Sequence, residues 1–190
     1  GKKIGIIYLP KFYISFENKQ NRDAYKDVAL EVERLKEQNV DGIVMDLRDN
    51  GGGSLETVVK MVGLFIPEGP VVQVKAPGRN PEILPDPDKK VQYDGPLVVM
   101  INNFSASASE IFAAAISQNH RGIVMGYKTY GKGSVQTMYD VSDGSAVKLT
   151  VQLYYTSDGT TIQNYGVVPE IEFFKKKKEA WDDIHDENRF

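Results

Sequence analysis

The stretch that decides the fold is Gly42-Ile43-Val44-Met45-Asp46-Leu47, followed at once by Arg48-Asp49-Asn50-Gly51-Gly52-Gly53-Ser54. The first part is a largely apolar run, which is typical of a strand buried on both faces of a parallel sheet. The second part is a glycine turn, and a helical pattern follows over Leu55–Phe65. A buried strand, a tight turn and a helix in this order predict an α/β fold.

The same alternation extends to both sides of this stretch. Further strands are predicted at Ile4–Tyr8, Val71–Val74, Leu97–Ile101 and Gly122–Met125, and further helices over Arg22–Gln38 and Glu110–Ser117. Asn21 or Asp23 is expected to cap the first of these helices, and Asn39 to end it.

Beyond Gly133 the hydrophobic period changes to two. This change predicts additional antiparallel strands over Val135–Tyr139, Ala146–Tyr155 and Thr160–Gln163. The stretch Lys75–Lys90 holds four prolines and is predicted to be a surface loop. The residues 175–190 are predicted to form a charged, solvated tail.

Length and composition bound the possible functions. A chain of 190 residues suits one domain with its own core, predicted here over residues 1–174. The net charge of −3 argues against nucleic-acid binding, and the absence of cysteine excludes disulfides and thiolate metal sites. Two histidines cannot form an all-histidine metal centre, and no apolar run is long enough to span a membrane. Because a strand pattern begins directly at Ile4, we expect an excised domain.

Two glycine-containing turns are candidate binding sites. The turn Gly51–Gly53 lies between a strand and a helix, so it suits a pyrophosphate, a transient oxyanion, or only a tight change of chain direction. The segment Gly126–Gly133 comes close to a P-loop. However, Gly133 replaces the hydroxyl residue that ligates magnesium, and a strand pattern follows where a helix is needed. Nucleotide binding is therefore rejected.

A third turn, Phe104-Ser105-Ala106-Ser107-Ala108-Ser109-Glu110, places serines at a helix N-terminus. Ser107 and Glu110 have the spacing of a capping box, which is the simpler interpretation of this segment. A serine nucleophile would also need a base.

His120 and Lys132 are candidates for that base, and Asp46 and Asp49 are candidates for a separate aspartic-protease pair. His120 lies in a polar turn, and Asp46 and Asp49 lack the Asp-Thr/Ser-Gly context of aspartic proteases. A lysine acts as a base where burial favours its neutral form, and Lys132, flanked by glycines, is the best candidate. Gln136 lies at an even offset from Lys132, so both side chains share one face of an extended strand.

Taken together, four blocks resemble the tail-specific, carboxy-terminal processing proteases, a serine–lysine family. They are Asp46-Leu-Arg-Asp-Asn-Gly-Gly-Gly53, Phe104-Ser-Ala-Ser-Ala-Ser-Glu-Ile-Phe-Ala-Ala-Ala115, Tyr130-Gly-Lys-Gly-Ser-Val-Gln136 and Gly166-Val-Val-Pro-Glu-Ile171. The resemblance extends over Lys3–Phe173, and it rests on all four blocks occurring in order.

The resemblance implies roles for individual residues. Ser107 matches the family nucleophile, Lys132 the general base and Gln136 the glutamine that orients the lysine. The oxyanion hole is expected to use the N–H of Ala108 and an N–H of the glycine turn, from either Gly52 or Gly53.

The resemblance also implies a crotonase/Clp-protease-like core with additional antiparallel strands, and cleavage of unfolded or C-terminally marked polypeptides without a metal or nucleotide cofactor. It further implies a PDZ domain N-terminal to this chain and a periplasmic location in the cell envelope. This chain departs from some relatives at Gln118, where they carry an acidic residue.

Two other functions are alternatives to a peptidase. A catalytically silent homologue would hold peptides in the same cleft. An acyl-CoA enzyme of the crotonase type would use Gly51–Gly53 for a thioester enolate, but it leaves Ser107, Lys132 and Gln136 unexplained.

Overall fold

The computed structural model describes residues 1–14 and 23–173. In chain order its elements are β1 (Ile4–Tyr8), α1 (Ala24–Glu37), β2 (Gly42–Asp46), α2 (Leu55–Gly63), β3 (Pro70–Lys75), β4 (Glu82–Pro85), β5 (Leu97–Ile101), α3 (Ala108–Gln118), β6 (Ile123–Gly126), β7 (Ser134–Asp140), β8 (Ala146–Tyr155) and β9 (Ile171–Glu172). The predicted cap at Asn21, the predicted helix start at Arg22 and the predicted tail at 175–190 lie outside the described residues.

Two sheets organise the chain. The first has five strands in the order β1-β2-β5-β6-β9, and all of its strand pairs are parallel. The second has four antiparallel strands in the order β4-β3-β8-β7. The predicted α/β fold with additional antiparallel strands is therefore confirmed.

The helices pack together beside the parallel sheet. Helix α3 contacts α2, β3 and β6. Within this layer the fully buried ring of Phe112 lies 5.9 Å from the ring of Phe65, edge to face, and 6.4 Å from the ring of Phe12. Three aromatic side chains thus form the centre of the core between the helices, as their large apolar area favours.

The ends of α1 follow local chemistry. The Asp23 carboxylate accepts a hydrogen bond from Tyr25 N at 2.9 Å, which caps the helix. At the other end Asn39 adopts a left-handed backbone with φ of 52° and ends the helix. The prediction that Asp23 or Asn21 caps this helix is met by Asp23.

The predicted strand at Thr160–Gln163 is wrong, because only Thr161 forms an isolated bridge, to Tyr155. The N–H of Thr160 donates to Asp158 Oδ1 at 2.9 Å in the preceding turn, so it is not available for pairing with a strand. Further along, Gln163 Oε1 accepts from Gly133 N at 2.9 Å. The segment is therefore used to support the loop that contains Lys132.

The predicted loop at Lys75–Lys90 is also corrected, because it contains β4. This short strand pairs antiparallel with β3, placing Ile83 opposite Gln73 and Leu84 opposite Val72. The prolines and charged residues around this strand obscure its hydrophobic pattern in the sequence. The strand forms because the neighbouring strand β3 provides its hydrogen-bonding partners.

The topology brings three loops to one place. Strands β2, β5 and β6 are parallel neighbours, so the loops that follow their carboxyl ends lie side by side. In open α/β sheets this edge is where ligands bind. None of the helices in the described parts of the chain is both long and apolar enough to cross a membrane.

We predict that Phe112→Ala lowers the free energy of unfolding by about 3–5 kcal/mol, because it leaves a cavity among packed rings. Phe104→Ala is the matched control, since Phe104 is 68% exposed, and it should change the free energy by less than about 0.5 kcal/mol. Urea unfolding followed by circular dichroism measures both. Equal losses would show that the core is centred elsewhere.

Candidate active site

The three loops beyond β2, β5 and β6 are joined by backbone hydrogen bonds. Ala106 N donates to Asn50 O at 3.0 Å, which links the second loop to the first. Tyr130 N donates to Ser105 O at 3.0 Å, which links the third loop to the second. The segments that sequence analysis singled out therefore form one site.

Gly52 lies directly against the start of α3. Its φ is 99°, a left-handed backbone that favours glycine. A Cβ atom on Gly52 would lie 2.8 Å from Ser107 Cβ and 3.0 Å from Ala108 N. Glycine is therefore required here both by conformation and by the close approach of Ser107.

Asn50 fixes the conformation of the glycine turn. Its fully buried side chain donates to Leu9 O at 2.7 Å and accepts from Gly52 N at 2.9 Å. The N–H of Gly52 is thus already bonded. The N–H groups of Gly53 and Ala108, by contrast, donate to no acceptor within residues 1–14 and 23–173. Both groups are available to bind an oxygen atom of a ligand.

The three serines around the start of α3 have different roles. The Ser105 hydroxyl donates to Leu47 O, and the Ser109 hydroxyl donates to Asn50 O, each at 2.8 Å. These two bonds fasten the serine turn and the start of α3 to the loop that follows β2. Ser107 stands out by its backbone, with φ of 55° and ψ of −113°. Such a strained conformation at a helix N-terminus is typical of a turn that presents a nucleophile.

Glu110 connects the serine to the loop that contains Lys132. Its carboxylate is fully buried and lies in the first turn of α3. Oxygen Oε2 accepts from Ser107 N and from Lys132 N, each at 2.8 Å. Oxygen Oε1 accepts from Gly131 N at 2.7 Å and from the Thr129 hydroxyl at 2.6 Å. The four donors hold the buried negative charge, as a buried carboxylate requires.

Thr129 continues this network to the last of the four sequence blocks. Its hydroxyl oxygen accepts from Val167 N at 2.6 Å, and its own N–H donates to Val167 O at 3.1 Å. The block Gly166–Ile171 is therefore hydrogen-bonded to the lysine loop through Val167, and its last residue, Ile171, begins β9.

Lys132 is half-buried. Its backbone N–H and that of Ser107 donate to the same oxygen of Glu110, so the backbones of the two residues lie close together. Gln136 lies on the exposed part of β7. Its amide donates to Thr150 Oγ1 at 3.4 Å, so the side chain is directed to the neighbouring strand β8. Ser107, Ala108, Gly52 and Lys132 are thus brought together, while Gln136 is bonded elsewhere.

His120 and Gln118 lie at the far end of α3. His120 follows the C-terminus of this 11-residue helix, about 16 Å from its start, and is exposed. Gln118 is also at that end, where its Oε1 accepts from the N–H of Asp158 at 3.3 Å. Neither residue can contact Ser107.

The aspartates of the first block have structural roles. The Arg48 guanidinium donates to both Asp46 oxygens, at 2.9 and 2.6 Å, and this bond holds the pKa of Asp46 below its usual range. Asp49 is exposed and accepts from Asn102 Nδ2 at 2.8 Å. Each carboxylate therefore orders the loop rather than forming an acidic pair.

Sequence reasoning missed the residues that hold the site together, namely Asn50, Glu110 and Thr129. The spacing of Ser107 and Glu110 was a signal, but it was interpreted only as a capping box. The box accounts for one of the four bonds of Glu110, and the other three come from a distant loop.

Fold and site together define a mixed α/β domain with a strained serine at a helix N-terminus, beside a glycine turn and a glycine-flanked lysine. The sequence profile of peptidase family S41 matches residues 3–173. This chain belongs to that family, which confirms the resemblance described above.

Individual proteins similar to this chain are consistent with membership of this family. A tail-specific protease of Haemophilus influenzae is 40% identical over 181 residues, which is 91% of this chain and 25% of that protein. Carboxyl-terminal-processing peptidase 1 of Arabidopsis thaliana chloroplasts is 37% identical over 183 residues, 95% of this chain and 35% of that protein. The solved structure of the photosystem II D1 C-terminal processing protease has a TM-score of 0.78 and 32% identity, covering 90% of this chain and 42% of its own. This chain therefore spans less than half the length of each of these relatives.

We predict that Gly52→Ala lowers peptide-bond cleavage by about 100-fold or more, because the new methyl group displaces Ser107 and Ala108. Gly51→Ala is the matched control in the same turn. A Cβ atom on Gly51 meets no atom within 4 Å, so cleavage should change by less than about twofold. Initial rates on a fluorescein-labelled unfolded protein compare the two. Similar losses in both variants would argue against the close packing of Gly52 on Ser107.

We also predict that Glu110→Gln lowers both stability and cleavage. A glutamine amide would face N–H donors, leaving buried groups unpaired at a cost of about 1–3 kcal/mol. Cleavage should fall by about tenfold or more because the lysine loop is released.

Glu170→Gln is the control for this prediction. The Glu170 carboxylate also accepts from a backbone group, Val124 N at 2.7 Å, but its donors Ser117 and Val124 lie in α3 and β6 and not in the lysine loop. Thermal unfolding and initial rates are measured for both variants. A Glu110→Gln protein with the activity of the Glu170→Gln protein would contradict the prediction.

Proposed function

We propose that residues 1–174 form the protease core of a serine endopeptidase that uses a serine–lysine dyad. Ser107 is the nucleophile, Lys132 is the general base and Gln136 orients Lys132. The observation that carries the proposal is the backbone of Ser107, with φ of 55° at the start of α3, beside the unbonded N–H of Ala108. The names of the relatives support the same reaction class.

The proposed mechanism begins when neutral Lys132 takes the proton of the Ser107 hydroxyl. The serine oxygen attacks the scissile carbonyl carbon, and the carbonyl oxygen gains the negative charge. Lys132 then gives its proton to the leaving nitrogen, and the C–N bond breaks. A water molecule, deprotonated by Lys132, then attacks the carbonyl carbon of the acyl-enzyme. The ester C–O bond breaks, Lys132 returns its proton to Ser107 Oγ, and the new carboxyl terminus leaves.

The oxyanion is stabilised in this proposal by the N–H groups of Ala108 and Gly53. Sequence analysis left Gly52 and Gly53 as alternatives. The bond from Gly52 N to Asn50 Oδ1 favours Gly53, because a donor already engaged in the turn is less available. Gly52 contributes by letting the turn approach Ser107 closely.

Gln136 reaches Lys132 in this proposal by exchanging its weak bond to Thr150, which is 3.4 Å long. Gln136 lies in β7 and Lys132 lies two residues before this strand, at an even offset from Gln136, so both side chains share one face where the chain is extended. A glutamine oxygen accepts from the lysine amine without adding a charge.

The substrates proposed are unfolded polypeptides or polypeptides marked at their C-terminus, in keeping with the names of the relatives. No metal or nucleotide cofactor takes part in the proposed steps. We further propose that a PDZ domain precedes this core in the full-length protein and that the protein acts in the periplasm.

The central test compares Ser107→Ala and Ser109→Ala in the full-length natural protein, with an unfolded substrate and intact-mass analysis of the products. Ser107→Ala should abolish cleavage. Ser109→Ala should retain it with reduced stability, because that hydroxyl only fastens the turn. If Ser109→Ala abolished cleavage and Ser107→Ala did not, the assignment of Ser107 as the nucleophile would be wrong. Specific binding without any cleavage by the parent protein would favour the silent peptide-binding homologue.

A second test addresses the base. Lys132→Arg replaces the amine with a long basic side chain whose guanidinium does not lose its proton, so cleavage should fall as far as in Lys132→Ala. Lys128→Arg, on the same loop, is the control and should retain cleavage. Activity in Lys132→Arg comparable with the parent would exclude the proposed base.

A further inference from the structure

The free side of β7 is a second feature of the site that the dyad does not use. In the antiparallel sheet β7 pairs with β8 on one side, and on its other side it pairs with no strand of residues 1–14 or 23–173. The strand begins two residues after Lys132. An open row of backbone groups therefore starts at the catalytic loop.

The backbone groups that face this open side follow from the register. Val141 N donates to Ser145 O at 2.7 Å, and Gly133 O accepts from Tyr154 N at 2.7 Å, so odd-numbered residues bond toward β8. The register shift near Val135 adds its extra residue to β8 and leaves the alternation along β7 intact. The residues that direct their N–H and C=O groups outward are Ser134, Gln136, Met138 and Asp140.

The two outer edges of this sheet differ in how readily they can pair with another chain. The edge strand β4 has four residues and ends in Pro85, which limits pairing with another chain. The edge strand β7 has seven residues, contains no proline and carries one charge, Asp140, at its far end. Met138 and Tyr139 are 58% and 49% exposed. This edge is thus open to a further strand.

We propose that the free edge of β7 binds the polypeptide substrate as an added β-strand and leads it to Ser107. Main-chain hydrogen bonds to the outward N–H and C=O groups bind an extended chain largely independently of its sequence. Such binding requires an unfolded segment, because a folded protein has few free backbone groups. The inference rests on the proposed peptidase function, and it specifies how that site selects extended polypeptides.

The first test measures binding without cleavage. In the full-length protein carrying Ser107→Ala, Met138→Pro removes one outward N–H, and Met138→Ala removes the same side chain but keeps the N–H. Fluorescence anisotropy with a short fluorescein-labelled peptide of β-casein gives the Kd. Met138→Pro should raise the Kd by about 3- to 10-fold relative to Met138→Ala, the effect of losing one hydrogen bond and disturbing its neighbours.

A second measurement leaves Met138 unchanged, so it holds even where Met138→Pro fails to fold. Single N-methyl groups are placed at successive residues of the same peptide. Because every second N–H of an added strand points to its partner, the Kd should rise at alternate positions.

Equal Kd values for Met138→Pro and Met138→Ala, or N-methyl effects without alternation, would overturn the inference. A dimer that light scattering detects and that Met138→Pro dissociates would assign this edge to a second copy of the chain instead. Because binding is measured in the Ser107→Ala background, these results are independent of whether Ser107 is the nucleophile.

Discussion

The buried carboxylate of Glu110 is the interaction on which the rest of the site depends. It lies in the first turn of α3, where the helix dipole favours a negative charge, and it accepts four hydrogen bonds. Two of these bonds share one oxygen and come from Ser107 and Lys132. A single carboxylate therefore sets the distance between the backbones of the two residues proposed to do the chemistry.

The remaining contacts follow from the parallel sheet. Neighbouring strands deliver the glycine turn, the serine turn and the lysine loop to the same edge. The hydroxyl groups of Ser105 and Ser109 then fasten the second turn to the first. Ser105 and Ser109 thus stabilise the turn that contains Ser107. Their hydrogen bonds on either side of Ser107 offset the backbone strain at that residue.

The sequence allowed the fold class and the buried strands to be predicted, because hydrophobic period and turn glycines are local signals. Ser107 was assigned only through the resemblance of the four blocks to a known family, since its local pattern alone indicates a capping box. It did not predict β4 or β9, which are short and depend on a neighbouring strand for pairing. The role of Glu110 also escaped prediction, since three of its donors lie 19 to 22 residues further along the chain. The geometry at Gln136 depends on β8 and was equally beyond local patterns.

The most direct measurement is a crystal structure of the protein after reaction with a peptidyl aldehyde. We expect a covalent bond to Ser107 Oγ, with the former aldehyde oxygen about 2.7–3.1 Å from the N atoms of Ala108 and Gly53. We also expect the peptide to extend along the free edge of β7. An adduct on another residue, or an oxygen directed away from both N–H groups, would show that Ser107 is not the nucleophile of a site built in this way.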